Sequence, residues 1–111
     1  MFKDDETRLR HILDAAREAV GFIEGLQRED LDKDRKLYLS LIRLLEVIGE
    51  AARNLSSEFR QEHPDLEWKS MVGMRDRLIH GYFDVNLEVL WETVASDLPP
   101  LIEKLEKIIV D

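Results

Sequence analysis

With 111 residues, 44% of them hydrophobic and 36% charged, and only five Gly and three Pro, the chain has the make-up of a modest helical domain. It does not read as a sheet protein, a disordered segment or a membrane protein. The lack of cysteine excludes a thiolate zinc site, a disulfide framework and a cysteine nucleophile, and a formal net charge of −8 argues against nonspecific coating of nucleic acid, which works by Lys and Arg displacing counterions.

No apolar run approaches a membrane span and "MFKDDETRLR" lacks the apolar core of a signal peptide, so the expected compartment is the cytoplasm. Leu9, Ile12, Leu13, Ala16, Val20 and Ile23 then recur at the helical period, with Asp4, Asp5 and Glu6 ahead of them where a helix N-terminus favours negative charge. That predicts a first helix. "QREDLDKD" is a polar break with several candidate caps. Leu37, Leu41, Leu44, Leu45, Ile48, Ala52 and Leu55 form a second, broader stripe, expected to be the longest helix. Gly49 lies beside Ala52 on the apolar side and predicts close approach of a neighbouring helix, while Arg43, Glu46 and Glu50 read as a solvated opposite face. "LSSEFRQEHPDLEW" offers a Ser56 cap, a short helical turn and Pro64 as a stop. A third helix is expected from Leu66 to Ile79, then a break at Gly81 and "FDVN". The last helix carries Leu87, Leu90, Trp91, Val94, Leu98, Leu101, Ile102, Leu105, Ile108 and Ile109, with Pro99-Pro100 predicting a kink or a break. The fold class is all-α: an antiparallel bundle of four to five helices, one domain over residues 1–111.

Charge is unevenly spread along these elements. Between Arg53 and His80 five basic residues (Arg53, Arg60, Lys69, Arg75, Arg77) meet five acidic ones, so the whole of the −8 lies outside that segment. At its end stands "VGMRDRLIHGYFDVN". At about 100° per residue, Arg75 falls in the middle of the arc made by Met71, Val72, Met74, Leu78 and Ile79. A buried guanidinium without a partner is costly, so an anion is expected to meet it, either a carboxylate of another element or a ligand phosphate. His80 is expected at the helix C-terminus, where the dipole favours the protonated imidazole and Asp76, four residues earlier, could fix its tautomer. Tyr82 would return to the arginine side if the turn stayed roughly helical.

Arginine beside histidine suits phosphodiester cleavage without a metal. Attack by the RNA's own 2′-hydroxyl needs an acid or base near neutral pH and a cation at the non-bridging oxygens, roles open to His80 and Arg75 respectively. A paired arginine and a capping histidine with no chemistry is the competing reading. His11, on a polar face, and His63, before a proline, have no partners at metal-ligand spacing.

"IGEAARNLS" followed by "HPDLEWKSMVGMRDRLIHGYFDVNLEVLWETVASDLPPLIEKL" resembles the HepT-like branch of the HEPN (higher eukaryotes and prokaryotes nucleotide-binding) superfamily. The likeness runs from about Leu37 to Leu105 and is most specific at "RDRLIHGY". It implies a helical-bundle endoribonuclease toxin that cleaves RNA with no metal or other cofactor, with Arg75 and His80 as its Arg-x₄-His motif. It also implies a homodimer that brings two such motifs together, and a cognate nucleotidyltransferase antitoxin of the MntA type that adenylylates Tyr82. Asp76 fills the supporting polar position after the motif arginine, where asparagine is also familiar. An arginine on an apolar face suits such a symmetric interface. To hold RNA, so acidic a dimer would need local basicity from Arg75, Arg77, Lys69 and Arg53. The alternative function is a non-catalytic helical partner of a nucleotidyltransferase that binds a nucleotide or substrate.

Overall fold

The computed structural model of the protein describes residues 3–80 and 84–109, at His80 the backbone alone. Helix α1 spans Lys3–Phe22, α2 is a single turn at Asp30–Lys33, and α3 spans Arg35–Arg53. Two short helices follow, α4 at Ser57–Glu62 and α5 at Trp68–Val72. A two-residue ladder pairs β1 (Ile79–His80) with β2 (Asp84–Val85), and α6 (Leu87–Glu92), a π-helical turn (Thr93–Asp97) and α7 (Leu98–Ile108) complete the chain. The architecture is all-α apart from that ladder, which is antiparallel with Ile79 opposite Val85 and His80 opposite Asp84.

The core follows the apolar periods. Leu9, Ile12, Leu13 and Ala16 of α1 meet Leu41, Leu45, Ile48 and Ala52 of α3, and Val94, Leu98, Leu101 and Leu105 close the third side. Between α1 and α2 the chain turns at Gly25, whose φ of 79° lies in the left-handed region that a Cβ disfavours. The polar break then supplies the cap of α3, where the Asp34 side chain accepts from the Leu37 N–H at 3.0 Å. Ser56 caps α4 in the same way, accepting from the Phe59 N–H at 3.1 Å, and α4 stops before Pro64 as expected.

The start of α1 is pinned to this cap. The Asp5 carboxylate, 2% exposed, accepts from the Ser56 N–H at 2.8 Å and from the Ser56 hydroxyl at 2.6 Å. That places the beginning of α1 at the end of α3. Arg17 meets Glu106 at 2.6 Å, so α1 also runs alongside α7. A cross-tie of Arg28 to Asp32 (3.2 Å) and Glu88 (3.1 Å) holds the α2 region against α6.

Three expectations need correction. The third helix ends at Val72 and not at Ile79: Gly73 is its C-cap, the chain proceeds by turns through Leu78, and Ile79 begins the ladder. Met74 and Leu78 are buried all the same, which is why their spacing imitated a helix. The α3 helix, at 19 residues, is not the longest, because α1 has 20 and the helical run from Leu87 to Ile108 exceeds both. Of the kink or break expected at Pro99-Pro100, the break is absent. Proline has no N–H to offer the carbonyl four residues back and its ring crowds that carbonyl. The turn at Thr93–Asp97 widens instead, with the Leu98 N–H donating to the Thr93 carbonyl, and the prolines occupy the first turn of α7. No helix among the described residues is long and apolar enough to cross a membrane.

Candidate active site

The site is built where α3 passes the end of α5. Gly49 makes the approach possible, since a Cβ there would lie 3.1 Å from the Met71 carbonyl oxygen and 3.2 Å from that of Val72. The close helix contact anticipated at Gly49 is therefore present, and it fixes the turn that carries Arg75.

Arg75 is not buried, as the helical projection required, because the helix has already ended; its side chain is 47% exposed. The anionic partner anticipated for it is nevertheless there. Arg75 Nε lies 3.2 Å from a carboxylate oxygen of Glu46, a half-buried residue of α3, and Nη1 lies 3.8 Å from Asp76. Glu46 thus leaves the role of solvated face that its helical position suggested. Around this pair Glu46, Gly49, Glu50, Arg53, Val72, Arg75 and Asp76 line a recess of about 270 Å³. Arg53 is also ion-paired within it, 3.9 Å from Glu50.

His80 enters on a strand, so the helix-end dipole invoked for its imidazole has no helix to come from, and the four-residue spacing to Asp76 no longer implies a shared face. The Asp76 carboxylate is 78% exposed and turned to Arg75. The imidazole of His80 and the whole of Tyr82 lie outside the described residues.

The remaining basic candidates are dispersed. Only Arg53 shares the Arg75 recess. Arg77 lines a separate one of about 290 Å³ between α5 and the π turn, with Glu67, Asp97 and Lys104 around it. Lys69 lines a third, with Arg60, on the other side of Val72. Glu46 and Arg60 are the residues that sequence reasoning passed over, since nothing in a helical period distinguishes a carboxylate facing solvent from one facing a loop. Among the described residues no group of three or more His, Cys, Asp or Glu is placed to hold a metal ion.

The model of the family described as ribonuclease HepT-like matches residues 12–108, a span that includes every element of this site. The chain belongs to the HepT-like family of the HEPN superfamily. Three relatives align with most of it. A protein of Caldanaerobacter subterraneus subsp. tengcongensis, provisionally named an RNase, is 42% identical over 91% of this chain and 90% of its own. A probable ribonuclease HepT of Thermococcus cleftensis is 45% identical over 82% of this chain and 86% of its own. A third, from Methanocaldococcus jannaschii and also provisionally named an RNase, is 38% identical over 98% of this chain and 90% of its own. No solved structure matches the chain.

Proposed function

We propose that this protein is a metal-independent endoribonuclease, the toxin of a toxin–antitoxin pair, which cleaves RNA with Arg75 and His80. The observation that carries the reading is the Arg75 guanidinium, held by Glu46 at a recess mouth yet half exposed, five residues before a histidine in a HepT-like chain. In this reaction the 2′-hydroxyl of one nucleotide attacks the adjacent phosphorus and gives up its proton, while the 5′-oxygen leaves and takes one. His80 supplies one of those proton transfers and Arg75 faces the non-bridging oxygens, where charge builds; such a donor is worth roughly 3–4 kcal/mol of the barrier. The products are a 2′,3′-cyclic phosphate and a 5′-hydroxyl. Asp76 keeps the Arg75 guanidinium turned outward, and a second copy of the chain supplies a second Arg75–His80 pair across a two-fold axis.

The cognate nucleotidyltransferase antitoxin neutralises the toxin by transferring AMP from ATP to Tyr82. The phenol oxygen attacks the α-phosphorus, the phenolic proton is lost and pyrophosphate leaves. AMP on Tyr82, two residues beyond His80, sets a negative phosphate where the substrate phosphate belongs.

A second reading draws on the recess itself, where Glu46, Glu50 and Asp76 outnumber Arg53 and Arg75. Such a site disfavours RNA and would suit a non-catalytic partner of the transferase. Cleavage of single-stranded RNA in excess chelator separates the two. The toxin reading expects cyclic-phosphate ends and a loss of about 10²–10⁴-fold in rate for a folded His80→Ala protein. Undiminished cleavage by that variant sinks the mechanism. No cleavage by the unmodified protein, with retained binding to the transferase, favours the partner role. Mass spectrometry of protein co-expressed with the transferase should find AMP on Tyr82; an unmodified tyrosine in fully neutralised protein refutes that part.

A further inference from the structure

The recess beyond Val72 has no function in the reading above. Ser57, Arg60 and Gln61 of α4 and Trp68, Lys69 and Val72 of α5 line it as a shallow, open recess of about 480 Å³, and no carboxylate is among them. In a chain of net charge −8 that is notable, because the Arg75 recess, the Arg77 recess and one where Asp14 and Glu106 stand beside Arg17 each have at least two carboxylates in the wall. Its cations are also uncommitted. Arg75, Arg53, Arg28 and Arg17 all stand in ion pairs, whereas neither Arg60 nor Lys69 forms one among the described residues. Arg60 Nε is buried with no hydrogen-bond partner there. The floor is apolar: the Trp68 ring, packed edge-on to Phe59 and anchored by its indole N–H to the His63 carbonyl at 2.9 Å, lies beside Val72.

Val72 lines both this recess and the one holding Arg75. The Arg75 recess, whose two cations are both ion-paired, therefore has unpaired cations next to it. We propose that the Arg60–Lys69 recess is the subsite for the nucleotide adjoining the scissile phosphate in single-stranded RNA. Lys69 and Arg60 take its backbone phosphate, and its base lies against the Trp68–Val72 floor and the flat guanidinium of Arg60. The inference rests on the ribonuclease reading and assigns the substrate-binding cations that reading needs. It also explains how an acidic protein engages RNA without a basic surface: a pair of unneutralised cations beside the reacting phosphate suffices for local attraction.

Binding of a fluorescent single-stranded RNA oligonucleotide to the His80→Ala protein, measured across a salt series, tests this. Each phosphate contact contributes about 0.7 to the slope of log affinity against log salt, so Arg60→Gln with Lys69→Gln, which together give up one phosphate, should reduce that slope by about 0.7 and weaken binding at least roughly fivefold at low salt. Lys69 is exposed, so Lys69→Gln alone leaves the fold intact and should remove about half of the slope change. The control, Lys36→Gln with Lys107→Gln, makes the same change in net charge at exposed positions of α3 and α7. An equal loss in this control overturns the subsite and leaves the ribonuclease reading standing. A parent protein that neither binds nor cleaves RNA overturns both.

Discussion

Two carboxylates show how differently a buried and a half-exposed acid act in this protein. Asp5 is 2% exposed and accepts two hydrogen bonds from Ser56, so its removal strands a part-buried backbone N–H at the junction of α1, α3 and α4. Glu46 makes one ion pair with Arg75 in which both side chains are a third or more exposed. Pairs of that kind are worth about 0–1 kcal/mol, too little to explain the contact as a prop of stability, so its consequence is the placement of a guanidinium. Asp5→Ala is expected to cost about 1–3 kcal/mol and to lower the thermal midpoint by several degrees. Glu46→Ala should leave the midpoint nearly in place yet reduce the RNA cleavage rate at saturating substrate, because Arg75 loses its fixed aim. A Glu46→Ala protein that melts early and cleaves normally would reverse these roles. Neither role was legible in the chain: Asp5 read as one of three helix-start acids and Glu46 as solvated surface, since tertiary partners distant in sequence decide both.

At the scale of elements, what the period could reveal was revealed. The stripes of α1, α3 and the Leu87–Ile108 run are buried in the core or packed against it where their spacing put them, and the Ser56 cap and the stop before Pro64 follow from local backbone chemistry. The segment from Gly73 to Val85 was misread for a physical reason: turns can bury Met74 and Leu78 as well as a helix can, so spacing alone does not separate them. Gly73 itself, one residue past the last helical position, was the available signal. Gly49 has the opposite status, since its meaning was evident before any geometry. Alanine at 49 would gain about 1 kcal/mol in helix propensity. It would also press a Cβ to 3.1 Å and 3.2 Å from two backbone carbonyl oxygens, which cannot swing aside as side chains do. Overpacking of that sort costs roughly 1–3 kcal/mol, so Gly49→Ala should be destabilising on balance, with a lower urea midpoint at unchanged m-value. Because the displaced element leads into Arg75, cleavage should fall by more than the stability loss explains. A higher midpoint would mean that α5 yields without cost.

For the whole molecule the deciding quantity is charge. A body of 42 × 30 × 20 Å is only about two helices thick, and each copy carries −8. Bringing two such copies together to build a composite site works against long-range repulsion, whereas holding RNA works through local cations that salt screens. The two equilibria should therefore respond to salt in opposite directions. Raising ionic strength from about 0.05 M to about 0.2 M shortens the Debye length from roughly 14 Å to 7 Å, which weakens the repulsion between protomers and should tighten the proposed dimer. The same change weakens RNA binding, steeply if several phosphates are contacted. Sedimentation velocity on the RNA-free protein should show a dimer at micromolar concentration whose dissociation constant falls as salt rises. In parallel, the affinity of the His80→Ala protein for RNA should drop over the same range. If the protein stays monomeric at every salt concentration, no second Arg75 reaches the phosphate. A dimer that dissociates as salt increases would instead place ion pairs at its interface.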